Sequence, residues 1–294
     1  PFLRQSQRVI ADDVGAVKKL ANKVVETKSE VLDRLSAVAA PPPVQDGPSL
    51  AVPDGDAASP VGDGATGAVV GTPFGFWATA GLALLAILGA SLGGDVFVVA
   101  LFGEDIPTRG LELGEIVAGI IALVAIVGVC SLRKGMSTLE YLALVGNPGI
   151  KTVFWWTLAA FIVDEVIFRL IPMIDPGYDP TWWWSEYTEI AADALWLFAF
   201  STIVVAPLVE EALFRGFLFA GWSRSALGVA GTIVVTSALW AVLHVQYGIH
   251  EFAALFAFGI VLGYARYRTK SLWVPILMHG FFNLLANLAI LTAE

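Results

Sequence analysis

The stretch Leu195-Trp-Leu-Phe-Ala-Phe-Ser-Thr-Ile-Val-Val-Ala-Pro-Leu-Val-Glu210-Glu211-Ala-Leu-Phe-Arg215-Gly-Phe-Leu-Phe-Ala-Gly-Trp222 decides the fold. It is long enough to cross about 30 Å of hydrocarbon as a helix. It nonetheless carries two adjacent acids and one arginine deep in an apolar run. An ionisable side chain inside a membrane costs at least a few kcal/mol, so each of the three demands a reason. Glu211 and Arg215 are four apart, acid first, which is the favourable order for a pair on one helix face. That pair neutralises one acid. Glu210, about 100° around the helix, is left without a local partner and suits a general base or acid.

Six further apolar segments surround this one. They run over Phe76 to Phe102, Leu111 to Leu132, Thr152 to Ile171, Ala226 to His244, Ile249 to Tyr267 and Leu272 to Leu291, with the first run itself read as Ala194 to Trp222. The fold class expected is all-α, a polytopic transmembrane bundle of about seven spans around a polar intramembrane cavity. Pro207 predicts a kink or break in the fourth span. Composition agrees. The chain is 57% hydrophobic with a mean hydropathy of +0.74, against about 45–50% apolar for soluble domains. The net charge of −9 argues against nucleic acid as a partner. The single Cys130 rules out an internal disulfide and a thiolate metal cluster.

Lysine and arginine set the expected orientation. With a cytoplasmic N-terminus, the inner loops carry Arg133, Lys134, Lys151, Arg224, Arg266, Arg268 and Lys270, and the outer loops carry Arg109. The loop from Ile174 to Ile190 holds Asp175, Asp179, Glu186 and Glu189 and no cation. This is the positive-inside pattern. Trp182, Trp183 and Trp184 suit an interfacial aromatic belt. The sequence is thus expected to lie in a bacterial plasma membrane with its N-terminus in the cytoplasm.

Before the spans, residues 1–40 read as a cytoplasmic amphipathic helix, and residues 41–75 as a disordered linker rich in Pro, Gly and Asp. Residues 76–294 form the membrane domain.

Two other segments offer polar groups that can join Glu210 at membrane depth. His244 ends Trp240-Ala-Val-Leu-His244. His279 and Asn283 lie four apart, on one helix face. Each histidine alone reads as an interhelical hydrogen bond. With Glu210 they read as one converging site. Counted from the cytoplasmic helix ends at about 1.5 Å per residue, Glu210 lies roughly 18 Å deep, His279 about 11 Å and His244 about 27 Å. Straight, upright helices would not bring those depths together. A near copy of the first motif, Asp164-Glu165-Val-Ile-Phe-Arg169, stands in the third segment without matching flanks or a second histidine pair. It reads as a Glu165–Arg169 ion pair, or as Asp164 lining the cavity. His250 matches no motif and reads as an outer-loop residue.

Glu210-Glu211-x-x-x-Arg215, the aromatic-x-x-x-His of Trp240 to His244, and His279-x-x-x-Asn283 resemble the three motifs of the CPBP family. These are the intramembrane CAAX-type proteases and their bacteriocin-processing relatives. The resemblance extends over roughly residues 195–290. It departs at Trp240, where the family usually has Phe and where a packing role is expected. It implies peptide-bond hydrolysis in or beside the membrane, with the bilayer and a peptide or protein substrate as partners. Carried over by position, Glu210 would activate water and His244 would assist or coordinate. His279 and Asn283 would stabilise the oxyanion or help hold a metal, and Glu211 and Arg215 would orient the site. The cofactor expectation stays open between zinc on Glu210, His244 and His279 and a metal-free glutamate mechanism. Asn is an unusual zinc ligand, which favours the second. A non-catalytic scaffold of the same fold and a proton-coupled transporter are the competing classes.

Overall fold

In the computed structural model of the chain, residues 74–103, 105–179, 184–244 and 247–292 are described, without the side chains of 184–186. The amphipathic helix expected over 1–40, almost all of the 41–75 linker and the aromatic belt at 182–184 lie outside what is described. The described residues form eight helices and no strand. They are α1 (Phe76–Phe102), α2 (Thr108–Ser131), the short α3 (Thr138–Tyr141), α4 (Ile150–Ile174), α5 (Tyr187–Trp222), α6 (Gly228–Val242), α7 (Ile249–Thr269) and α8 (Trp273–Thr292). The protein is a polytopic helical bundle.

Five helices, α1, α2, α5, α7 and α8, are long and apolar enough to cross a membrane. The other two expected spans differ in an instructive way. α4 has 25 residues but carries Lys151, Asp164, Glu165 and Arg169, which lower its hydropathy. α6 has only 15 residues, about 22 Å of helix, which is short of a full hydrocarbon crossing.

In lipid, apolar burial gives little drive for helices to associate, so close backbone approach does more. α1 buries Ala83, Ala86, Ala90, Gly94 and Val98 in one stripe, and α2 answers with Gly110, Gly114 and Ala122. A Cβ on Gly94 would stand 2.8 Å from the Gly114 carbonyl oxygen and 2.9 Å from the Ala118 Cβ. These two helices therefore meet backbone to backbone. Trp222 at the end of α5 stacks on Phe76 at the start of α1, its indole donating to the Phe76 carbonyl at 3.1 Å.

The kink expected at Pro207 takes another form. α5 continues through the proline, flanked by two π-helical stretches, Ser201–Val205 and Ala212–Leu218. In the first, the Ala206 N–H reaches back five residues to the Ser201 carbonyl. Continued one residue on, that register would bring position 207 onto the Thr202 carbonyl, and proline has no N–H to give. A wider turn also relieves the proline ring's clash with the preceding turn. Such π-bulges recur at functional sites, and here the freed carbonyl is used.

At the end of the bundle where α7 begins, α4 and α7 are clasped together. His250 Nε2 lies 3.0 Å from Asp175 Oδ2, and the Tyr178 hydroxyl donates to Glu251 Oε1 at 2.7 Å. The His250 contact and the Gly177 N–H hold Asp175 below the usual carboxylate range. Burial and the Glu251 carboxylate push the Tyr178 hydroxyl up. His250, expected in a loop, is the second residue of α7.

Candidate active site

Glu210, His244, His279 and Asn283 line a single cavity of about 340 Å³. The depth mismatch counted from straight helices therefore does not keep the motifs apart. Trp240 touches Glu210, His244 and His279. Its indole N–H donates to Glu210 Oε2. Its ring packs edge-on against His244 at 4.9 Å and against His279 at 5.4 Å between centroids. Sequence reasoning gave Trp240 a packing role only. The indole nitrogen adds a polar one, which phenylalanine at this position could not supply.

Glu211 and Arg215 form the expected pair, with Arg215 Nη1 donating to Glu211 Oε1 at 2.9 Å and both side chains 0% exposed. The pair does more than cancel a charge. Arg215 Nη2 donates to the Gly259 carbonyl at 3.2 Å, tying α5 to α7. The guanidinium lies 4.9 Å from the Trp240 ring centroid, within cation–π range. A Cβ on Gly259 would stand 2.9 Å from Ser237 Cβ and 3.1 Å from Arg215 Nη2, so the approach of α7 requires glycine there.

Glu211 Oε1 also accepts from His279 Nδ1 at 3.0 Å. A carboxylate only accepts, so Nδ1 carries the proton and Nε2 is the remaining nitrogen. His244 is fixed the same way: Nδ1 is 2.9 Å from the Trp240 carbonyl oxygen, one turn back, which also leaves Nε2. His244 itself lies just beyond the end of α6.

Asn283 is held by the carbonyl that Pro207 leaves free. Its Nδ2 donates to Thr202 O at 2.7 Å. Asn287, one turn further along α8, donates to Thr202 Oγ1 at 3.0 Å and to the Asn283 carbonyl at 2.8 Å. Sequence reasoning missed both Thr202 and Asn287. The i, i+4, i+8 series His279, Asn283, Asn287 was the available signal. Asn287 thus ties Asn283 and Thr202 together, and in a peptide-cleavage assay Asn287→Ala is expected to lower the rate about tenfold, the ~1.4 kcal/mol of one or two neutral hydrogen bonds. The loss should appear in kcat with KM unchanged. A change in KM alone would show that Asn287 contacts substrate instead.

The near copy of the motif resolves into both of its readings. Arg169 pairs with Glu165 at 3.3 Å on an exposed face, while Asp164 lines the cavity.

A metal would need its donors gathered. Among the described residues no group of three His, Cys, Asp or Glu side chains is arranged to hold one. Glu210, His244 and His279 share the cavity, but the Glu210 carboxylate is turned to the Trp240 indole. The residues present do not fit zinc in this arrangement.

The cavity has a direction. Along α8 it is lined by His279, Asn283, Asn287 and Ile290, and along α7 by Phe258, Ala254 and Glu251. It therefore extends from the site toward the end of the bundle where α7 begins and α8 ends.

Residues 192–285 match the family model described as type II CAAX prenyl endopeptidase Rce1-like. The matched segment contains every motif residue above. An uncharacterized 24.3 kDa protein of Escherichia coli is 34% identical over 153 residues, which is 50% of this chain and 67% of that protein. No solved structure matches. With its three motifs in order, converging on one cavity inside the matched segment, the chain belongs to the Rce1-like CAAX endopeptidase family.

Proposed function

We propose that the protein is an intramembrane endopeptidase that uses Glu210 to activate water without a metal. The observation that carries this reading is the shared cavity, which Glu210, the two oriented histidines His244 and His279 and the anchored amide of Asn283 line together. Glu210 takes a proton from a water molecule whose oxygen attacks the scissile carbonyl carbon. The lone pair on His244 Nε2 orients that water. His279 and Asn283 donate to the oxyanion of the tetrahedral intermediate. Glu210 then returns the proton to the departing amide nitrogen as the C–N bond breaks, leaving an amine and a carboxylic acid, which ionises on release.

Donation from His279 Nε2 requires both ring nitrogens to be protonated, because Nδ1 is committed to Glu211. The Asn283 amide has a second hydrogen beyond the one given to Thr202.

The substrate reading is a membrane-proximal peptide entering from the end where α7 begins. The loop cations make this the non-cytoplasmic end. Cysteines at Tyr178 and Thr269 should therefore be labelled from opposite faces, Tyr178→Cys from outside. Labelling from one face would overturn the orientation.

The reading is tested with internally quenched peptides, with and without a prenylated cysteine, incubated with purified protein in liposomes. Cleavage is expected to persist after exhaustive chelation, with no stoichiometric zinc by elemental analysis. Activity lost on chelation and restored by zinc would establish a metal mechanism. No cleavage of any peptide would overturn the peptidase reading.

A further inference from the structure

Glu210 borders a second cavity, which adjoins the first along α5 and shares Phe198, Thr202, Ala206 and Glu210 with it. This space, about 330 Å³, lies between α5 and the α1–α2 pair and is lined by Ser91, Glu112, Glu115, Ser201, Thr202 and Glu210, among apolar residues. Glu112 and Glu115 fall in the first two turns of α2, and nothing in the mechanism uses them. Glu112 accepts a hydrogen bond from Ser201 Oγ at 2.7 Å, across from α2 to α5. Polar groups thus run from the acids near the start of α2, through Ser201 and Thr202, down to Glu210. α1 and α2 lie outside the segment shared with the family model.

The chemistry proposed for the first cavity consumes one water per bond cut. A peptide filling that cavity blocks the direct way in for water. Two carboxylates facing a void in lipid are costly if the void is dry and inexpensive if it holds water. The volume suffices for several water molecules. We infer that the second cavity is a water-filled access route along which water and protons reach Glu210 while substrate occupies the first. The inference rests on the peptidase reading for its purpose, but hydration of the cavity is measurable without it.

The experiment replaces Cys130 with Ala and introduces single cysteines in the full chain. Val209→Cys reports deep in the second cavity beside Glu210, Ser91→Cys reports higher up, and Ile120→Cys sits at similar depth on the outer face of α2 and lines neither cavity. The probe is a charged methanethiosulfonate, which reacts only with hydrated thiols. Val209→Cys and Ser91→Cys should react at least tenfold faster than Ile120→Cys. Equal rates would overturn the proposal, whatever the peptide assay shows. In that assay, the Glu112→Leu, Glu115→Leu double variant should lose about tenfold in kcat with KM unchanged. The corresponding double Gln variant, which keeps the route polar, should retain most of it. If the Gln variant falls as far as the Leu variant, the carboxylates act as specific groups and the water route is wrong.

Discussion

Glu210→Gln is expected to cut peptide cleavage by a factor of about 10²–10⁴, the range that a positioned general base supplies, while the protein stays folded. Glutamine keeps the size of the side chain, and its amide oxygen still accepts the Trp240 indole N–H. What it loses is the ability to take a proton from water. Melting in detergent should therefore differ little from wild type, with the loss confined to kcat. His279→Ala and Asn283→Ala should each remove one oxyanion donor, on the order of 3 kcal/mol of transition-state stabilisation. They should differ in their side effects. His279→Ala also leaves Glu211 with one partner fewer, so it should lower the melting temperature, whereas the half-buried Asn283 leaves only the Thr202 carbonyl behind. Undiminished cleavage by Glu210→Gln would refute Glu210 as the general base and with it the mechanism proposed above.

Arg215→Ala should be the most destabilising single change in the site. It removes the cation that faces a fully buried carboxylate, the donor to the Gly259 carbonyl and the charge over the Trp240 ring. Breaking a buried pair by removing one partner costs about 3–5 kcal/mol, because the surviving charge stays uncompensated. A large loss of folded yield is expected, and activity should fall with it. Adding Glu211→Gln removes the orphaned charge while keeping an amide oxygen for His279 Nδ1, so the double variant should recover part of the folded yield. Thermal unfolding in detergent of the wild type, the two singles and the double completes the cycle. A double variant no better than Arg215→Ala would show that the arginine acts chiefly through Gly259 and Trp240 rather than through Glu211.

These two changes lie five residues apart on α5, and that stretch separates what the sequence determines from what it does not. Apolar runs of spanning length specify helices whatever their neighbours, because in lipid the backbone must satisfy its own hydrogen bonds. The bundle, most of its helix boundaries and the Glu211–Arg215 pair follow from local spacing alone. So does the candidacy of Glu210, His244, His279 and Asn283, since polar and ionisable groups at such depth need a function or a partner. Spacing does not report what lies across a helix interface. That Glu211 serves His279 as well as Arg215, that Trp240 donates to Glu210, and that Asn287 backs Asn283 through Thr202 are contacts between residues 30 to 85 positions apart. The proline shows the limit most clearly. Sequence marks Pro207 as a break in α5, because it lacks an N–H. Only the packing of α8 against α5 decides that the Thr202 carbonyl, instead of going unpaired, accepts the amide of Asn283, since a buried acceptor must find a donor and the nearest one comes from another helix.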